Sequence, residues 1–305
     1  MPTRDPRLAR PDLMRSSPHW STNTLLAALV VMAGAATRAE AQEPPRADDQ
    51  HFKVDPVTDG TLIVAGAGLT GLEELILSTG EIIPQRPGST SQLLSFDRIA
   101  VTQKVDPNAG TYSTIGLGVG VAIAVVDPLL SGLRDGKDAA LVDAVLYAET
   151  LSLTLAVTDL TKLAVRRPRP LAYAEQAALD KQYGGASKSP SISSTDADLS
   201  FFSGHTATVG SVVATATYLA FIRSPGTWRP WLTLTAGTLL TSWVGYERVR
   251  AGAHFPTDVI AGALAGGTIG VLVPHMHRHE TDGRSYWVGY APETGGGRLT
   301  LQGVF

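Results

Sequence analysis

Three short stretches carry residue types that could do chemistry together. In "FFSGHTATVG", Ser203, Gly204 and His205 stand at the head of an uncharged run that continues to Ile222. Serine is a strong helix N-cap, and the first N–H groups of a helix have no acceptor within it. Such a start is a ready anion site, and Gly204 lets a ligand approach the backbone closely. His205 would stand in the first turn beside anything bound there, although a capped helix followed by a surface histidine would read the same. In "ERVRAGAHFPTDVIAG", His254 and Asp258 are four apart, with Pro256 between them at a favoured first-turn position. Asp258 could reach back to the His254 ring, fix its tautomer and support the charge that imidazole gains on reacting. The alternative is a first-turn acid that serves only the helix dipole. In "KLAVRRPRP", Lys162 and Arg166 share a helical face, Pro168 stops the helix, and Arg169 lies beyond its end. Those cations suit a helix C-terminus or a topology signal as well as an anion clamp.

The combination says more than its parts. Lys162 with Arg169-Pro170, then Ser203-Gly204-His205, then Arg248 with His254 and Asp258 follow one another in order. This resembles the three-part signature K-x6-RP, PSGH and SR-x5-H-x3-D of the type-2 phosphatidic acid phosphatase and vanadium haloperoxidase superfamily. The resemblance covers residues 162–258 and implies an all-α fold, a six-helix bundle. It implies that His254 is the nucleophile, forming a phosphohistidine, with Asp258 supporting it and His205 as general acid. Lys162, Arg169, Ser203, Gly204 and Arg248 are then expected to bind the phosphoryl oxygens, with no metal and no cofactor. Two positions depart from the pattern. Phe202 stands where the family has proline, and Glu247 where it has serine. A carboxylate beside a phosphate would repel it unless it turned away to Arg250 or another base. Arg166, Arg167 and Arg250 are secondary candidates.

The expected activity is metal-independent hydrolysis of phosphate monoesters, lipid phosphates of the cell envelope above all, with vanadate as an inhibitor. A small soluble phosphate ester becomes the better substrate if the helices do not meet a membrane. Two alternatives stand beside it. One is a vanadium-dependent haloperoxidase, with vanadate as its cofactor in the same cationic cradle. The other is a non-enzymatic membrane or binding protein with a relic phosphate pocket.

The elements that must position these groups read as helices over 61–78, 114–126, 140–165, 204–222, 231–246 and 256–273, rich in Ala, Gly, Val, Leu and Thr. Charge-free runs at 107–126, 206–222 and 230–246 sit near the lower edge of the roughly 17–25 residues a membrane span needs. Asp143, Glu149 and Asp159 interrupt the third helix and would have to face protein or a water-filled cavity. Small residues in "AGALAGG" would let helix backbones approach closely. Residues 174–200 form a Gly/Ser/Pro-rich loop of the length expected for a lid or a disordered segment. The tail around "ETGGGR" alternates apolar and polar residues, as a C-terminal β-hairpin does.

Of the 305 residues 44% are hydrophobic and 17% charged, and the net charge of −3 leaves no basic footprint for a nucleic acid. The chain has no cysteine, which excludes a thiol nucleophile and a disulfide framework. Arg4, Arg7, Arg10 and Arg15 precede an apolar segment and Ala39-Glu40-Ala41, the pattern of an export signal. The expected organisation is a signal peptide over 1–41, a polar linker over 42–60, a helical domain over 61–275 and a tail over 276–305. The expected location is the periplasm or the cell membrane, with the site on the outer side. His275, His277 and His279 in "HMHRH" have no carboxylate or cysteine in a ligand-like array beside them, so no metal site is expected.

Overall fold

The chain enters its first helix through Asp55, whose carboxylate accepts from the N–H groups of Val57 and Thr58 at 3.0 and 2.7 Å, followed by Pro56 at the first helical position. This cap starts the helix inside the stretch expected to be linker. The computed structural model describes residues 51–278 apart from 83, 174 and 177–198, and the backbone of 285–293 and 296–304. The leader over 1–41 and most of the 174–200 loop lie outside the described residues.

Among the described residues these α-helices follow in order: α1 (Pro56–Ser78), the short α2 (Arg98–Thr102), α3 (Ala109–Asp135), α4 (Lys137–Val165), α5 (Gly204–Arg223), α6 (Arg229–Arg250) and α7 (Pro256–Met276). Strands β1 (Ser285–Glu293) and β2 (Gly296–Val304) pair antiparallel, Ser285 opposite Val304 and Glu293 opposite Gly296. Helix α5 is the central post, packed on α3, α4, α6 and α7, while α1 lies against α4. Its buried Val212, Ala216 and Leu219 join Phe52, Leu146, Tyr147 and Val273 in the core. Among the described residues five helices, α1, α3, α4, α5 and α7, are long and apolar enough to cross a membrane.

α3 continues past the expected end at Val126 because the acid that ends the apolar run is not at a surface. Asp127 accepts from the Tyr147 hydroxyl at 2.9 Å and from Arg229 at 3.1 Å. The three acids of α4 likewise face protein. Asp143 pairs with Arg223 of α5, Glu149 faces His277, and Asp159 holds Lys162 at 3.0 Å. A charge buried among helices is tolerated when paired in this way.

α5 and α7 approach so closely that glycine is obligatory between them. A Cβ on Gly266 would lie 2.0 Å from the Ala207 carbonyl oxygen, and one on Gly262 would lie 2.6 Å from that of Ser203. Both obstacles are backbone, which cannot rotate aside. This contact sets the α7 N-terminus against the α5 N-terminus, where the chemistry-bearing residues sit. Gly266→Val is therefore expected to lose about 1–3 kcal/mol or more in detergent unfolding. Gly267→Ala, with nothing within 4 Å of the added carbon, should be neutral.

Candidate active site

Helix ends build the site. α4 stops at Arg166, which takes a left-handed conformation (φ 50°, ψ 35°) while its N–H still donates to the Lys162 carbonyl. The chain then leaves the helix axis, and Pro168 bridges to Leu199. Arg169 follows, its Nε donating to the Leu199 carbonyl at 3.4 Å. α5 begins at the Ser203 cap, whose hydroxyl accepts from the Thr206 hydroxyl at 2.9 Å. A Cβ on Gly204 would stand 3.3 Å from Thr158, one turn before Lys162, so the α5 start adjoins that lysine. Arg248 lies in the last turn of α6, and Gly252, at φ 66°, turns the chain toward His254.

All of the expected cations converge on the two histidines. Arg248, Arg169 and Lys162 lie within electrostatic reach of both His254 and His205, and His205 is within reach of His254. His254 is buried, 2% exposed. Burial, and then the positive charges of Arg248 and Arg169, push its pKa well below 6.5, so the ring is neutral at neutral pH. Its Nδ1 lies 2.7 Å from the Ser200 carbonyl. A carbonyl only accepts, so Nδ1 carries the proton and Nε2 keeps the lone pair.

The partner that fixes this tautomer is not the expected one. Asp258 Oδ2 is 3.9 Å from His254 Nδ1, too far for a hydrogen bond. The carboxylate instead accepts from the Ser200 hydroxyl, the Phe255 N–H at 2.8 Å and Arg167 at 2.5 Å. It holds Ser200, and the Ser200 carbonyl holds the ring. At 3.9 Å its charge can still favour a positive imidazole.

Arg167, read as a secondary anion contact, is a strut. Its second nitrogen donates to Asp97 at 2.9 Å, and its guanidinium lies 3.9 Å above the Phe255 ring. Asp97, 1% exposed, also accepts from the Thr257 N–H at 3.0 Å and so caps α7 from 160 residues away. Asp97 and Ser200 were not legible from the sequence, since neither stands in a motif. Glu247 turns from the pocket, as the sequence required for compatibility with an anion. Arg250 donates to it at 3.4 and 3.5 Å and also pairs with Asp106. Behind Lys162, Glu73 of α1 lies buried within electrostatic reach of Lys162 and Asp159. The expectation that no carboxylate accompanies the "HMHRH" histidines does not hold for His277. The fold brings Asp59 to 3.2 Å and Glu149 to 3.4 Å from its ring.

Two histidines, three cations and a capped helix start gather at helix ends, an arrangement able to hold an oxyanion. Residues 143–282 match the PAP2 superfamily. A curated relative, a lipid A 1-phosphatase of Rhizobium etli, is 37% identical over 116 residues, which is 38% of this chain and 42% of the relative. The chain therefore aligns with less than half of that relative's length. Among solved structures it is similar to a transmembrane PAP2-type phosphatidylglycerolphosphate phosphatase from Bacillus subtilis. That similarity has a TM-score of 0.42 and 18% identity, covering 72% of this chain and 94% of the other.

Removing the cation between two buried carboxylates is costly. Arg167→Met should destabilise the protein by about 3–5 kcal/mol, whereas Arg166→Ala, at an exposed position, should stay within about 0.5 kcal/mol. Parallel denaturation curves of the two variants check the contrast.

Proposed function

We propose that this protein is a membrane-embedded phosphatase that hydrolyses phosphate monoesters of lipids through a phosphohistidine. One observation carries the reading: a buried, neutral His254 with its Nδ1 proton committed to the Ser200 carbonyl, within reach of Arg248, Arg169 and Lys162. A neutral imidazole with a free Nε2 lone pair is a nucleophile, and the three cations match the charge of a phosphoryl group.

In the first step Nε2 of His254 attacks phosphorus, the P–O ester bond breaks, and His205 gives its proton to the leaving oxygen. The imidazole becomes cationic, and the nearby Asp258 favours that charge. In the second step neutral His205 takes a proton from water. The resulting hydroxide attacks phosphorus, the P–N bond breaks, and phosphate leaves with His254 neutral again. Lys162, Arg169, Arg248, the Ser203 hydroxyl and the Gly204 N–H hold the phosphoryl oxygens. Phosphoryl transfer depends chiefly on such positioning and charge stabilisation, so the mechanism needs no metal at this site.

The lipid assignment rests on the five long apolar helices, on exposed Leu62, Leu72, Val119, Leu129 and Leu264 along their outer faces, and on the relative named for acting on lipid A. The site lies at helix ends, where a lipid headgroup would meet it. The arginine-led apolar leader supports an outward-facing site in the cell envelope.

Hydrolysis of phosphatidic acid and of a chromogenic phosphate ester by purified protein in detergent tests the proposal. Turnover should be inhibited by vanadate and abolished in His254→Ala. It should fall roughly 10²–10³-fold in Arg248→Met. Turnover retained in His254→Ala would overturn the nucleophile assignment, and halide-dependent bromination by the vanadate-loaded protein would overturn the phosphatase. Because the His254 pKa is lowered, its protonation cannot impose an acid limb near pH 6.5. The kcat/KM profile should therefore show the His254 limb well below 6.5. Arg248→Met removes a repelling charge and should move that limb upward.

A further inference from the structure

A second group of side chains lies far from the candidate active site. Asp59 stands in the first turn of α1, Glu149 in the first half of α4, and His277 just past the end of α7. Glu149 is 13 residues before Lys162 on the same helix, about 20 Å at 1.5 Å per residue. Their ligand atoms all lie within 4.8 Å of one another. His277 Nε2 is 3.2 Å from Asp59 Oδ1 and 3.4 Å from Glu149 Oε2. Both carboxylates are buried, each 4% exposed.

The hydrogen bonds around the cluster leave it one positive charge or more short. His277 Nδ1 is 2.8 Å from the Val273 carbonyl, which only accepts, so Nδ1 carries a proton. A neutral ring would then aim its Nε2 lone pair at two carboxylates. Asp59 Oδ2 takes the Asp55 N–H at 2.6 Å, but buried Glu149 Oε2 accepts no hydrogen bond among the described residues. A proton on Nε2 would neutralise one of the two negative charges. A divalent cation would neutralise both and satisfy the Glu149 oxygen directly.

We infer that Asp59, Glu149 and His277 form a binding site for a divalent cation of the zinc type, which clamps α1, α4 and α7 together. The geometry suits it. Ligands about 2.0–2.1 Å from a tetrahedral Zn²⁺ stand roughly 3.3–3.5 Å apart, close to the two separations at His277. Three protein ligands leave a fourth position for water. The Nδ1–H bond to Val273 and the backbone N–H on Asp59 are the outer supports that orient such ligands. An imidazole among the donors favours zinc over magnesium or calcium. The site lies away from the phosphoryl chemistry and does not depend on that reading.

The test uses full-length, tag-free protein in detergent, stripped with EDTA, dialysed and titrated with Zn²⁺ against a chromogenic chelator. Bound metal is counted by mass spectrometry, so no assay of turnover enters. One zinc per chain is expected for wild type and for His279→Asn, which removes a tail histidine outside the described residues. Affinity should fall about tenfold or more in Glu149→Gln and Asp59→Asn, and zinc should raise the Tm of wild type but not of Glu149→Gln. Wild type that binds no stoichiometric zinc, or variants that bind it as tightly, would overturn the inference and leave a buried imidazolium between two carboxylates. If the variants fail to fold, X-ray absorption on the zinc-loaded wild type decides. A shell of one imidazole with oxygen ligands supports the site, and a shell of two or more imidazoles overturns it.

Discussion

Asp258 is completely buried, and a buried carboxylate costs several kcal/mol unless its oxygens are met by donors. The donors come from three separate parts of the chain. Arg167 arrives from the end of α4, Ser200 from the far side of the loop after it, and the Phe255 N–H from the entry to α7. Satisfying this one group therefore fixes where α4 must stop, where α5 must start and how α7 must enter. The same contacts place the Ser200 carbonyl on His254, so the tautomer of that ring follows from the carboxylate's hydrogen bonds rather than from direct contact with it.

A second constraint is steric. Glycines on α7 remove the side chains that would hold it away from α5, and the two helix starts come together as a result. With Lys162 one turn from the Gly204 contact and Arg248 at the end of α6, two helix ends and two helix starts share one small volume. Carbonyl-rich helix ends alone would repel an anion. The arginines and lysine carried on those ends reverse that sign, and the N-terminus of α5 adds its free N–H groups. The opposite part of the bundle is held by different means. Arg223 with Asp143, Arg229 with Asp127, and His277 between Asp59 and Glu149 join helices through buried charge. Of the three acids inside α4, Asp143 and Glu149 face partners on other elements, and Asp159 faces Lys162 on its own helix.

The candidate site residues were legible because their spacing is local or fixed by a recognisable order. Ser203-Gly204-His205 and His254-Pro256-Asp258 declare helix starts by capping chemistry, and Lys162 with Arg169 brackets a helix stop at Pro168. The positions that escaped notice are held by long-range contacts. Asp97 caps a helix 160 residues later, and Ser200 acts through a backbone carbonyl, which no side-chain pattern can advertise. Helix lengths were underestimated for a related reason. Asp127 and Arg250 lie past the expected helix ends, yet each is neutralised by a residue distant in sequence, Arg229 and Asp106, and the helix runs on.

The sequence by itself determined the helical class, the starts of α5 and α7, the family signature and the set of groups able to hold a phosphoryl anion. Capping, proline placement and residue order are local properties, and they survive without knowledge of the fold. Only the tertiary structure decided which arginine is a strut and which faces the histidines, that Glu247 turns to Arg250, that Ser200 rather than Asp258 holds the His254 ring, and that His277 meets two carboxylates. Those assignments depend on which partner each buried charge finds across the bundle, and burial makes that choice energetically decisive only once the helices have packed.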